Sequence, residues 1–286
     1  MAMSPTRKIF VGPRRLKMST VAMHASTAAS ATSVVTGAII TIEPAIRGIR
    51  SPQTPHELET SPTAAVVLLQ EDDNGKAIEE AVIAHDFPIA VLKMIGSRFG
   101  KLTKDKSRLE IAAGCADERV LCLILPWLLT LVNTLLNATH APPLPSYVIQ
   151  VPENSPFDHM FAYWRTFLAM GHAKWASQIE RLMVQYVEAT ELDLADMRQI
   201  LRFTYSKQSF TNTFLKATAV RLVDKDIEPL ERHAIRELFR MERPDYLWSL
   251  TKLQAQTGDI KSIDELAKMK EERRRANGDE FHRWSI

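Results

Sequence analysis

The sequence contains little cysteine and none of the short motifs by which common enzyme classes are recognised. Only Cys115 and Cys122 occur among 286 residues, so neither a disulfide framework nor a four-cysteine zinc site can be built, and a reducing compartment fits. The patterns GxGxxG, GxxxxGKS/T, GxSxG and HExxH are all missing, and the eight histidines are scattered without the spacing of metal ligands. We therefore expect no metal, no cofactor and no enzymatic activity.

The sequence also lacks an apolar run that fits a membrane span. Its longest apolar segment, residues 120–136, follows three charged residues and contains Pro126 and Asn133. A bilayer crossing requires about 20 predominantly apolar residues, so a shorter run with an internal proline and an amide fits a buried helix better. We predict a core helix here and no association with a membrane.

The net charge is nearly balanced but unevenly distributed along the chain. With 45% apolar and 24% charged residues, the composition is that of a globular protein with one large or two small domains. Residues 1–50 carry seven basic side chains and one acidic one, a charge of +6, which leaves −4 for the rest of a chain whose total is +2. A mildly acidic folded part argues against a general nucleic-acid-binding protein.

The first 62 residues show no stable hydrophobic period. They predict a disordered basic tail rich in Ser, Thr and Ala, or at most a tail with one adventitious strand, and we expect order to begin at Ala64. Residues 1–36 contain no Asp or Glu, which is also the composition of a mitochondrial transit peptide. Poor helical amphipathicity across residues 19–36 favours the tail over an import signal, and no secretory signal is recognised.

Local patterns after the tail predict a small sheet with helices. A β-branched apolar run at 64–70 ends in a turn signal at 71–75 and precedes a second strand at 81–85, a pattern that predicts a β-hairpin. Helical spacing covers 87–99, and a third strand is expected at 109–111, before the apolar helix.

A proline-rich stretch at 141–156 breaks the chain, and the remainder is predicted to be helical. The expected helices are 157–170, 173–189, 194–204, 211–223, 229–241, 244–256 and 263–276. Pro229 and Pro244 suit first-turn positions, and Ser262 with Glu265 forms a capping box for the last helix.

Several residues with a conceivable chemical role are better explained by structure. The acidic run at 71–73 fits a solvated turn, and His85 beside Asp86 fits a surface pair at a strand end. Cys115 fits a small buried residue at a strand-to-helix turn better than an activated thiolate. The basic stretch 268–275 fits a solvated helix end. The aromatic residues expected to form the core of a helical hairpin are Phe157, Phe161, Tyr163, Trp164, Phe167 and Trp175.

The order of these elements resembles that of the BTB/POZ domain, particularly its divergent fungal members. The segment 82–102 carries an apolar pair, a small residue and a phenylalanine at the spacing of the family: Val91, Leu92, Gly96 and Phe99. The segment 108–130 resembles the family's strand, acidic turn and helix, and its end matches three residues of the family's Trp-Leu-Tyr-Thr: Trp127, Leu128 and Thr130. The sequence departs from the family at Pro88, in place of a histidine, and at Pro126, inside a helix that normally contains no proline.

Segments in the second half are similar to the helices that follow the domain in fungal relatives. These segments are 161–183, 200–223 and 243–247. The resemblance implies an α+β fold with a small mixed β-sheet and flanking helices at 63–140. A tail at 1–62 precedes this BTB/POZ-like domain, and an all-α C-terminal helical region at 155–286 follows it.

The resemblance further implies a non-enzymatic protein–protein interaction module of the cytoplasm or nucleus. Domains of this family dimerise, and some present a surface to a cullin scaffold of ubiquitin ligases. We therefore expect a second copy or a cullin-type scaffold as the partner, and no specific nucleic acid or small-molecule substrate. The residues expected to form the interaction face are Val91, Leu92, Ile95, Phe99, Leu121, Leu125 and Leu128.

Three other functions are compatible with the sequence. The acid-free N-terminus fits a helical subunit of a mitochondrial assembly, located in the matrix. The helix content and the basic ends fit an RNA-coating or capsid-like α-rich protein. An enzyme without recognisable motifs is the third alternative.

Overall fold

Helices predominate in the fold, and a small amount of β-sheet accompanies them. The computed structural model describes residues 35, 37–44, 60–71, 77–91, 101–112, 114–137, 144–204, 209–224 and 227–283. In chain order the strands are β1 (Ile39–Ile42), β2 (Thr63–Glu71), β3 (Ala77–Pro88), β4 (Lys101–Leu102), β5 (Arg108–Ile111) and β6 (Tyr147–Gln150). The helices are α1 (Glu118–Asn137), α2 (Pro156–Ala169), α3 (Ala173–Ala189), α4 (Leu194–Phe203), α5 (Ser209–Val223), α6 (Pro229–Glu242), α7 (Pro244–Gln256) and α8 (Ile260–Arg283). The predicted α+β class is confirmed.

Four of the strands form one sheet in the order β3-β2-β5-β4. β2 and β3 make the predicted antiparallel hairpin, and β5 lies parallel to β2 on its other side. Because β2 is an inner strand, three successive residues at its centre, Val66, Val67 and Leu68, are all buried. A helical segment begins at Ile89, directly after β3, in agreement with the predicted helix, although residues 92–100 lie outside the described part.

A separate two-stranded ribbon pairs β1 with β6 in antiparallel fashion, and Ile40 lies opposite Ile149. β1 lies in the segment expected to be a tail with at most one adventitious strand, and that strand is present; the expectation that order begins only at Ala64 was wrong. Ile40 is buried and the preceding Ile39 is 68% exposed, which is the alternation of a strand with one buried face. β6 lies in the proline-rich stretch that was expected only to break the chain. Both strands have four residues, too few for a period-2 pattern to be recognised in the sequence.

Helix α1 contains the apolar segment and continues through Pro126. The Asp117 carboxylate accepts hydrogen bonds from the backbone N–H groups of Arg119 (3.0 Å) and Val120 (3.2 Å), and so caps the helix.

A proline inside a helix usually lowers the stability of the helix by roughly 3 kcal/mol, because it removes one backbone hydrogen bond and crowds the preceding turn. Pro126 and Cys122, the residue whose carbonyl loses its helical partner, both lie on the exposed side of α1. Over the described residues, no helix combines the length and the apolar character that a bilayer crossing needs.

The helices after the ribbon follow the predicted periodicity closely. α3 and α7 begin and end at the predicted residues, and Pro229 and Pro244 occupy the first positions of α6 and α7. The capping box predicted for the last helix was wrong, because α8 begins at Ile260 and Ser262 already lies in its first turn. Asp259 caps this helix instead, accepting hydrogen bonds from the backbone N–H (3.2 Å) and the hydroxyl of Ser262.

One hydrophobic cluster connects the sheet, the ribbon and the helices. It includes Val66 of β2, Leu121 of α1, Ile149 of β6, Trp164 of α2 and Phe239 of α6. The six aromatic residues predicted to pack in the helical hairpin are all buried. The regions 63–140 and 155–286 both supply residues to this cluster, so each covers apolar surface of the other.

Candidate interaction site

Helix α1 was expected to supply much of an interaction face, and the structure places those residues in the core. Leu121, Leu125 and Leu128 are all buried, with at most 2% of their surface exposed, and Val91 is also fully buried. The other three predicted residues, Leu92, Ile95 and Phe99, lie outside the described residues. The spacing of the leucines marks one side of a helix, but it does not tell whether the same chain or a partner covers that side.

The opposite side of α1 is exposed and carries no charge. We call this surface the α1 outer face; its residues are Cys122, Leu123, Pro126, Thr130 and Asn133, all of which are exposed. Leu123 is 55% exposed, and no charged residue occurs between Val120 and Asn137. The solvent side of a surface helix normally carries charged and polar residues. An uncharged helix side with an exposed leucine is therefore a candidate contact surface.

The hydroxyl groups along this side are hydrogen-bonded within the helix. The Thr130 hydroxyl donates to the Pro126 carbonyl at 3.0 Å, and the Thr134 hydroxyl donates to the Thr130 carbonyl at 2.8 Å. Burying a hydroxyl without a partner costs free energy, whereas a hydroxyl that already donates to its own helix avoids most of that cost. An apolar partner surface can therefore cover these threonines without leaving an unpaired donor.

The N-terminus of α1 is fixed to the helical region. Asp117 forms an ion pair with Arg165 of α2 at 3.1 Å, and its backbone N–H donates to the Thr166 hydroxyl at 2.9 Å. The Arg165 guanidinium lies 4.9 Å from the ring centre of Phe203, which ends α4. These contacts tie the orientation of α1 to α2 and α4.

The turn that leads into α1 packs tightly against the same phenylalanine. Gly114 has a φ of 68°, a left-handed conformation that glycine adopts readily. A Cβ atom on Gly114 would lie 2.5 Å from a ring carbon of Phe203, so a side chain fits there only if the ring is displaced. Both the backbone conformation of this turn and its close approach to α4 therefore favour glycine.

An aromatic group holds the middle of α1 against the ribbon. The half-buried Trp127 donates its indole N–H to the Pro145 carbonyl at 3.0 Å. Its ring centre lies 5.2 Å from that of Tyr147 in β6 and 5.3 Å from that of Trp175 in α3. Trp175 in turn donates to the carbonyl of Glu43, directly after β1, at 3.1 Å. The middle of α1, which bears part of the outer face, is therefore positioned by α3 and by the ribbon.

Burial shifts the pKa values of the titratable groups around this aromatic cluster in the direction that favours their neutral forms. The hydroxyls of Tyr147 and Tyr163 lie 3.0 Å apart, and burial raises the pKa of both. His172 stacks on Trp175 with ring centres 3.9 Å apart, and burial lowers its pKa to about 4. Burial also lowers the pKa of His159, against an opposing effect of the Asp117 charge.

Other residues singled out by the sequence lie apart from this site. His85 and Asp86 are exposed on β3, as expected for a surface pair. In the basic stretch of α8, Lys268, Lys270, Arg274 and Arg275 are exposed. Cys115 was expected to be buried and is exposed; the neighbouring Ala116 is the buried residue of that turn. In a tight turn, adjacent residues point in different directions, and the sequence did not determine which one faces inwards. Within the described part of the chain, no group of three His, Cys, Asp or Glu residues is arranged to hold a metal ion.

Comparison with known proteins does not assign the chain to a family. No protein-family model, no curated protein and no solved structure matches it. The function is therefore inferred from the residues and the geometry of the chain itself.

Proposed function

We propose that this chain is a non-enzymatic protein–protein interaction module, similar to BTB/POZ proteins, that associates with a second copy of itself through the α1 outer face. The observation that carries the proposal is the exposed side of α1, which bears Leu123 at 55% exposure and no charged residue from Val120 to Asn137. Contiguous exposed apolar surface is typical of contact sites, and Leu123 and Pro126 are both exposed on the same uncharged side of α1.

The order of elements supports the resemblance on which the proposal also draws. After β1, the β-hairpin is followed by a helical segment that begins at Ile89, by β4 and β5, and by α1, which contains the Trp127 to Thr130 match. Only helices follow β6 in the described residues. This is the sequence of elements by which the chain resembles the BTB/POZ family and its fungal members, whose domains dimerise.

An uncharged surface is suited to contact with its own copy. In a twofold dimer the same patch occurs on both partners, so every charge near the axis meets a like charge. The α1 outer face avoids this repulsion. Its short side chains, Cys122, Pro126 and Thr130, also permit a close approach of two helices. The Thr130 hydroxyl remains satisfied when it is covered, because it donates within its own helix.

Light scattering coupled to size-exclusion chromatography tests the proposal over a range of protein concentrations. The wild-type chain is expected to have twice its monomer mass of 32.3 kDa. Leu123→Glu places two negative charges on the proposed contact and is expected to shift the protein to the monomer mass. The matched control is Leu230→Glu on α6, a leucine that is 81% exposed and outside α1, and it should behave as the wild type does.

Two outcomes would contradict the proposal. A wild-type protein that remains monomeric at all concentrations has no second copy as its partner. A Leu123→Glu variant that dimerises as well as the Leu230→Glu control places the contact elsewhere. Circular dichroism of both variants verifies that they are folded.

A pull-down with a purified cullin-type scaffold measures whether the partner implied by the family resemblance binds. The same pull-down with Leu123→Glu tests whether that partner contacts the α1 outer face.

A further inference from the structure

No further inference is drawn: the strongest candidate, the outer edge of β3, where Val82, His85 and Asp86 are exposed and with which no described strand other than β2 pairs, carries none because nothing in the structure shows what covers it.

Discussion

Asp117 is expected to contribute measurably to the stability of α1, since its carboxylate has two separate roles. It caps the helix by accepting hydrogen bonds from the backbone N–H groups of Arg119 and Val120. It also pairs with Arg165 at 3.1 Å, in a partly buried contact where the two side chains are 26% and 19% exposed. Asp117→Ala removes both roles, and Asp117→Asn removes only the charge.

The expected loss of stability follows from these two contributions. Replacing a capping Asp by Ala typically costs about 1 kcal/mol. A partly exposed ion pair and the favourable charge at the helix N-terminus together contribute about 1 kcal/mol. Asp117→Ala should therefore lower the free energy of unfolding by about 2 kcal/mol. Asp117→Asn keeps a good capping side chain and should lower it by about 1 kcal/mol.

Urea unfolding of the three proteins at pH 7 measures both differences. Far-ultraviolet circular dichroism and tryptophan fluorescence are followed in parallel, because coincident transitions justify the conversion of midpoints into free energies. If Asp117→Asn is as unstable as Asp117→Ala, the cap contributes nothing. If Asp117→Ala differs from the wild type by less than about 0.5 kcal/mol, which is the range of ordinary surface substitutions, neither role stabilises α1 and the reasoning fails.

Further substitutions test three other features of the fold. Gly114→Ala should lower the free energy of unfolding by about 3 kcal/mol, because it combines a left-handed backbone with a Cβ atom 2.5 Å from the ring of Phe203. The control is Gly258→Ala, at a φ of 89° with open space around it. In the same urea assay it should show only the backbone strain of about 1 kcal/mol. Burial lowers the pKa of His172 in the folded protein to about 4, against an ordinary value of 6.5. Between these two pH values the unfolded state therefore binds a proton that the folded state does not. The free energy of unfolding should fall as the pH drops from 6.5 to 4, by at most about 3 kcal/mol. His172→Phe should remove that part of the pH dependence, and an unchanged pH profile would contradict the assignment. Leu125→Ala should cost about 3 kcal/mol in thermal or urea unfolding, because the side chain is 2% exposed, and Leu230→Ala less than about 0.5 kcal/mol, because that leucine is 81% exposed and lies outside the proposed contact. Equal losses would show that Leu125 is not packed in the core.

The sequence by itself determined most of the local structure. The bounds of α3 and α7 follow from apolar residues at helical spacing, and Pro244 marks the start of α7 because its ring fits the first turn of a helix. The hairpin of β2 and β3 follows from a β-branched run that ends in a turn signal. These features depend on interactions within a few turns of the chain, and such interactions leave a periodic pattern in the sequence.

Only the tertiary structure decided which distant segments meet and which surfaces remain open. β1 and β6 are each too short to show a pattern, and their pairing depends on the core that buries Ile40 and Ile149. The leucines of α1 had the periodicity of a contact face, but the sheet and α2 cover them. The uncharged side that contains Leu123 is the one left exposed. A period in the sequence identifies the sides of a helix, whereas the burial of either side depends on packing between residues far apart along the chain.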